Sequence, residues 1–114
     1  MSFEITDESQ IIKKDEMIQI LVEYKSLLND LKKIGNKISE QIAEKFNKKN
    51  LYVDGVTVDK KVIEVGSYIT QSVDQINANV DSTIEMIKKE YERQWAEYRR
   101  YLDYLSELEQ QNQE

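Results

Sequence analysis

Cysteine, histidine and proline are all absent from this 114-residue chain. Without cysteine there is no disulfide, no thiolate nucleophile and no sulfur-ligated zinc. Without histidine the chain lacks the usual general base and the commonest metal ligand. Glycine is scarce, confined to Gly35, Gly55 and Gly66, so a glycine-rich phosphate loop has no material. Carboxylate-only calcium or magnesium sites need clustered oxygens on a loop, and the single loop offers only Asp54 and Asp59. The expectation is a non-enzyme with no catalytic residue, no metal ligand and no cofactor.

Long apolar runs are missing too. The longest are fragments such as "MIQILV", residues 17–22, far short of the ~20 residues that cross a bilayer. The opening "MSFEITDESQ" has neither the basic region nor the apolar core of a secretory signal. The expected location is cytoplasmic, or outside the cell by a route without a cleaved signal. Acidic residues outnumber basic ones 22 to 16, for a net charge of −6, which disfavours direct nucleic-acid binding. The excess lies in the second half: residues 1–50 balance nine against nine, whereas 51–114 hold thirteen acidic and seven basic side chains.

What is present is helical periodicity. Asp7 with Gln10 three residues on forms a capping box, and apolar residues then recur at Met17, Leu21, Tyr24, Leu28, Leu31, Ile34, Ile38, Ile42 and Phe46. Spacings of three and four mark one face of a helix. The pattern stops at "NKKN", 47–50, where asparagine caps and lysine opposes the helix dipole. A second seam runs Val62, Val65, Ile69, Val73, Ile76, Val80, Ile84, Ile87, Tyr91, Trp95, Tyr98, Leu102, Leu105, Leu108. Its first part steps 3, 4, 4, an eleven-residue repeat.

The fold class expected is all-α: a long antiparallel two-helix hairpin, coiled-coil-like, as one domain over 1–114. Helix one covers about 8–47, a tip 48–59, and helix two about 60–110. Facing residue numbers sum to about 108, so Ile42 meets Gly66 and Ile69, Leu31 meets Ile76, and Met17 meets Tyr91. Phe3 and Ile5 reach Leu102 and Leu105. Gly35, inside helix one, marks a kink, a break or a close helix crossing. The tip sequence "YVDGVTV" centres on Asp54-Gly55, a hairpin-turn pair, so a short β-hairpin is expected at the tip, with Thr57 or Asp59 capping helix two. A pair of helices leaves each seam half open, and the β-branched stretch 62–87 is a mediocre helix former on its own. Assembly into a larger bundle, with another helical protein or with further copies of the chain, is therefore expected.

Two surfaces stand out as candidate partner interfaces. Residues 62–87 contain no lysine or arginine, and Gly66, Thr70, Asn77 and Ala78 represent a small, uncharged face there. Neutral solvated surface and helix-docking surface both fit that pattern. The second candidate is the aromatic cluster around Tyr91, Trp95 and Tyr98, with Arg93, Arg99 and Arg100 interleaved. Tyr91, Trp95 and Tyr98 fall on the seam, whereas Tyr101 and Tyr104 fall off it. Together with Trp95 and Arg99, these last two are the interface candidates, since aromatics and arginine dominate binding hot spots. The tip residues Tyr52, Asp54 and Gly55 complete the set.

The acidic, cysteine-free helical hairpin, with "YVDG" at 52–55 in its central turn, resembles the small WxG-type proteins of type VII secretion. It is more similar still to the small helical companions of LXG toxins. Trp-x-Gly itself is not present, and no C-terminal tyrosine or phenylalanine is followed four residues later by an acid. The resemblance implies a non-enzymatic adaptor or targeting chaperone that masks a larger helical protein, such as a secreted toxin. Helix, β-hairpin, helix also resembles the plan of the β-type prefoldin subunit, a chaperone arm. A third expectation is a phage- or plasmid-encoded inhibitor that acts by protein binding or by acidic mimicry of nucleic acid.

Overall fold

The structure, a computed structural model, describes residues 2–49 and 64–113. The tip candidates Tyr52, Asp54 and Gly55, the expected β-hairpin and its Thr57 or Asp59 cap lie outside the described residues. The architecture is an all-α helical hairpin of two long helices, α1 (Lys14–Lys48) and α2 (Val65–Gln113), preceded by a 3-10 turn at Glu8–Gln10. No strand occurs among the described residues. Contacts divide the chain into two compact units: Met1–Ile20 with Ser82–Glu114 (unit one), and Leu21–Asp81 (unit two). Each helix contributes to both.

In unit two the helices run antiparallel, and glycine sets their register. Lys25 pairs with Asp81 at 2.5 Å and Lys32 with Asp74 at 3.0 Å. Ser39 Oγ accepts a hydrogen bond from the Gly66 N–H at 2.7 Å. Gly35 lies against Ile69, where an added Cβ would stand 2.8 Å from Cδ1 and 3.0 Å from Cβ. Facing numbers thus sum to 104–106 rather than 108. Ser39, not Ile42, meets Gly66, and Gly35 meets Ile69. The cause is steric: only the glycines let the backbones come this close, so the helices slide until Gly35 and Gly66 adjoin. A Cβ on Gly66 would sit 3.0 Å from the Gly35 carbonyl oxygen. Of the three expectations for Gly35, the structure shows the close crossing, within an unbroken helix.

That register also fixes the inward lines. On α1 in unit two the buried or half-buried positions include Leu21, Lys25, Leu28, Lys32, Gly35, Ser39, Ile42 and Phe46; on α2 they include Gly66, Thr70, Val73, Asn77 and Val80. These lines step by four and three, a heptad period, so the eleven-residue step of the sequence does not govern α2 here. Val73 is the most enclosed side chain, at 1% exposure. The two ion pairs are more than a third exposed on the aspartate side, where such pairs add ~0–1 kcal/mol each. Burial of Leu28, Val73 and Val80 contributes more, about 1.5–3 kcal/mol per side chain.

In unit one, α2 is covered by the start of α1 and by residues 2–13. The Asp7–Gln10 box forms, but it caps the 3-10 turn instead of α1. Ile11 then takes an extended conformation (φ −76°, ψ 133°), and α1 begins only at Lys14. The expectation of a helix from about residue 8 fails because burial competes with it. Ile5 and Ile11 reach 6% and 8% exposure, and Ile87 of α2 is likewise buried in unit one. Phe3 stacks on Tyr101 and Tyr104, with centroids 5.5 and 5.4 Å away, instead of on Leu102 and Leu105, which remain exposed.

Two stability measurements follow. Gly35→Ala gains ~1 kcal/mol of helix propensity but overpacks Ile69 at a cost of about 1–3 kcal/mol. Its thermal midpoint is expected to fall, and Ile69→Val, which removes the Cδ1 contact, to recover part of the loss. A raised midpoint for Gly35→Ala would show that the crossing is loose. Asn77 Oδ1 is buried without a hydrogen-bond partner, a state that costs about 1–3 kcal/mol. Asn77→Leu is therefore expected to raise the midpoint in calorimetry, and a drop would count against that account.

Candidate protein-docking surfaces

The α1 positions that precede the inward residues from Lys25 to Ser39 are Tyr24, Leu27, Leu31, Ile34 and Ile38. All five are exposed, Leu27 at 66% and Ile34 at 55%. They recur at 3, 4, 3, 4 and form a second apolar stripe, rotated about 100° per residue step from the inward line. Antiparallel helices exchange by a rotation about an axis perpendicular to their plane, so positions with the same offset share one face. The matching α2 positions are Val65, Ile69, Ser72, Ile76 and Asn79, with no charge among them. The opposite face carries Asp74 and Asp81, each one residue past its inward neighbour and paired with lysine. One face of unit two is ionic and the other apolar.

A line of five exposed apolar side chains is the kind of surface that protein interaction sites use, whereas exposed apolar residues scattered singly are ordinary. Leu27 and Ile34 were not among the interface candidates from sequence, and Leu31, Ile34 and Ile38 were assigned to the seam. The available signal was lysine at 25 and 32, seven apart, on the line that the register buries.

The sequence candidates are placed differently. Gly66 is buried, and Thr70 and Asn77 are half-buried, in the helix-helix contact of unit two, so they hold the pair together rather than form an outer face. Ala78 is exposed. Tyr101 and Tyr104, expected off the seam, are half-buried under Phe3. Trp95 is half-buried and meets Tyr91 and Tyr98 edge-on at 6.3 and 5.8 Å. The Lys14 ammonium lies 4.5 Å from the Tyr91 ring centre, a cation–π contact. Arg99 is exposed beside Trp95, at a shallow cleft shared with Tyr91 and Glu92.

Charge in unit one gathers on Arg93, whose guanidinium reaches Glu90 at 2.6 Å, Glu97 at 3.2 Å and Glu4 at 3.9 Å. The Arg93 hydrogen bond holds the Glu90 carboxyl below its ordinary value of 4.5, and the backbone N–H of Ser9 holds Asp7 below 3.8. Among the described residues no three carboxylates converge to hold a metal ion. No described helix is long and apolar enough to cross a membrane. No family model, curated protein sequence or solved structure matches the chain.

The carboxylate shifts carry a pH signature. A depressed folded-state value adds stability above the unfolded value and loses it as pH falls through the folded one. The Asp7 contribution is therefore complete above 3.8 and the Glu90 contribution above 4.5, and both vanish in acid. The NMR shift of the Ser9 amide is expected to titrate with a midpoint below 3.8 and to lose that step in Asp7→Asn, since asparagine caps without ionising. A midpoint at or above 3.8 would contradict the assignment.

Proposed function

We propose that this chain is a non-catalytic adaptor whose unit-two face, Tyr24 to Ile38 with Ile69 and Ile76, receives helices of a larger helical protein. The observation that carries the reading is the exposed stripe at three-four spacing on a helix whose other line is already used. Such a stripe presents the anchors of helix-in-groove recognition, read at i, i+3, i+4 and i+7. A companion that masks the apolar face of a larger helical protein, the role implied by the resemblance to LXG-toxin companions, needs such a surface and needs no reactive group. The α2 side of the face is uncharged, so the complex is held by apolar burial. That favours the adaptor over an acidic mimic of nucleic acid.

A photo-crosslinking residue at Leu27 or Ile34, in the chain expressed in its native cell, is expected to join a helix of another protein. The same residue at Asn29, on the opposite face, is not. Leu31→Glu is expected to weaken the purified complex roughly 100-fold, the scale of a hot-spot loss, and affinity is expected to change little with salt. Equal adducts from Leu27 and Asn29, or a steep salt dependence, would sink the reading.

A further inference from the structure

Gln94 and Glu97 are the buried polar side chains among the described residues, at 9% and 8% exposure. Both take backbone donors from the segment that precedes α1. Glu97 Oε1 accepts the Glu4 N–H at 2.9 Å, and Gln94 Oε1 accepts the Ile12 N–H at 2.8 Å. Side chains of that segment fill the spaces between: Phe3 against Tyr101 and Tyr104, then buried Ile5 and Ile11. The segment folds back on itself through Gln10, whose Oε1 accepts the N–H groups of Thr6 and Asp7 at 2.8 and 2.9 Å. Arg93, 3.9 Å from the Glu4 carboxylate, favours an acid between the two apolar anchors.

Main-chain hydrogen bonds for grip and side-chain pockets for selectivity are the logic of peptide recognition. We propose that the α2 strip from Gln94 to Tyr104 is a peptide-reading site, filled in this structure by the chain's own residues 3–12. Its ligand in trans is a protein segment of the pattern aromatic, acidic, aliphatic that bends at the acid as residues 3–5 do. A tethered segment has an effective concentration of about a millimolar. It therefore excludes an equal competitor and yields to a longer or better-anchored one, or when its own anchors are weakened.

The test uses the full chain carrying Phe3→Ala and Ile5→Ala, and a fluorescent peptide copying residues 2–13. Anisotropy titration is expected to show at least tenfold tighter peptide binding to this variant than to the parent chain. The same peptide with its phenylalanine replaced by alanine is expected to bind at least tenfold more weakly, and adding Tyr104→Ala to the chain to remove the site. Equal binding to parent and variant, or none to a variant whose helical circular dichroism matches the parent, would overturn the proposal. Should the double variant lose helix, Phe3→Ala alone alters a half-exposed ring and gives the same comparison.

Discussion

In unit two the absence of a side chain at Gly35 and Gly66 governs the contact between the helices. The Gly66 N–H donates to Ser39 Oγ at 2.7 Å, and the Gly35 surface is filled by Ile69. Helix surfaces normally keep axes 8–10 Å apart, depending on the side chains between them, and glycine removes that spacer. Once the two glycines adjoin, the other pairs have no freedom. Lys25 must reach Asp81, and Lys32 must reach Asp74. Both lysines then spend their stems on the helix-helix line and their charges at its edge, as long amphipathic side chains do.

The outward stripe is a consequence of that choice. A helix that packs on one neighbour needs an apolar arc of about 100°. In unit two, α1 has a wider one, because the leucines and isoleucines sit one residue before an inward line that already includes Leu28, Gly35 and Ile42. Had the helices met at the register suggested by the apolar seam, Leu31, Ile34 and Ile38 would close the pair, and the lysines would be solvated. The glycine contact outranks that arrangement. The close approach therefore comes with apolar exposure on α1.

Much of the fold was legible. Two helices, their antiparallel order and the end of α1 within "NKKN", at Lys48, follow from periodicity and from residues whose chemistry acts locally, whereas Gly35 left kink, break and crossing equally open. Register was not legible, because it depends on which of two adjacent stripes packs, and hydropathy favours the wrong one. The same ambiguity misplaced Gly66, Thr70 and Asn77, whose small size reads equally well as a docking face and as the contact of the pair itself. Residues 2–13 were missed for a different reason. The Asp7–Gln10 box is a genuine cap, yet local capping cannot report that Ile11 is extended and buried, or that the Ile12 N–H goes to Gln94. Tyr101 and Tyr104 were singled out, but their resident partner, Phe3, lies 98 and 101 positions away in sequence.

The two surfaces differ in the hydrogen-bonding groups they present. The unit-two face carries few hydrogen-bonding groups: its α1 stripe is hydrocarbon apart from one tyrosine hydroxyl, and its α2 side is uncharged, with Ser72 and Asn79 as its polar side chains. A helix, whose interior N–H and C=O groups are already paired, adds no further backbone demand. The Gln94–Tyr104 strip is the reverse. A carboxylate as enclosed as Glu97 is costly unless its oxygens are satisfied, and Arg93 reaches only one of them, Oε2, at 3.2 Å. The other oxygen takes a free backbone N–H, which the interior of a helix cannot donate and an extended segment can. Leucine at position 97 would suit a helical neighbour better, since apolar replacements of buried charge are often neutral or stabilising. Glutamate at 97 and glutamine at 94 thus suit a segment with backbone N–H groups outside a helix interior, such as Glu4 and Ile12 supply here.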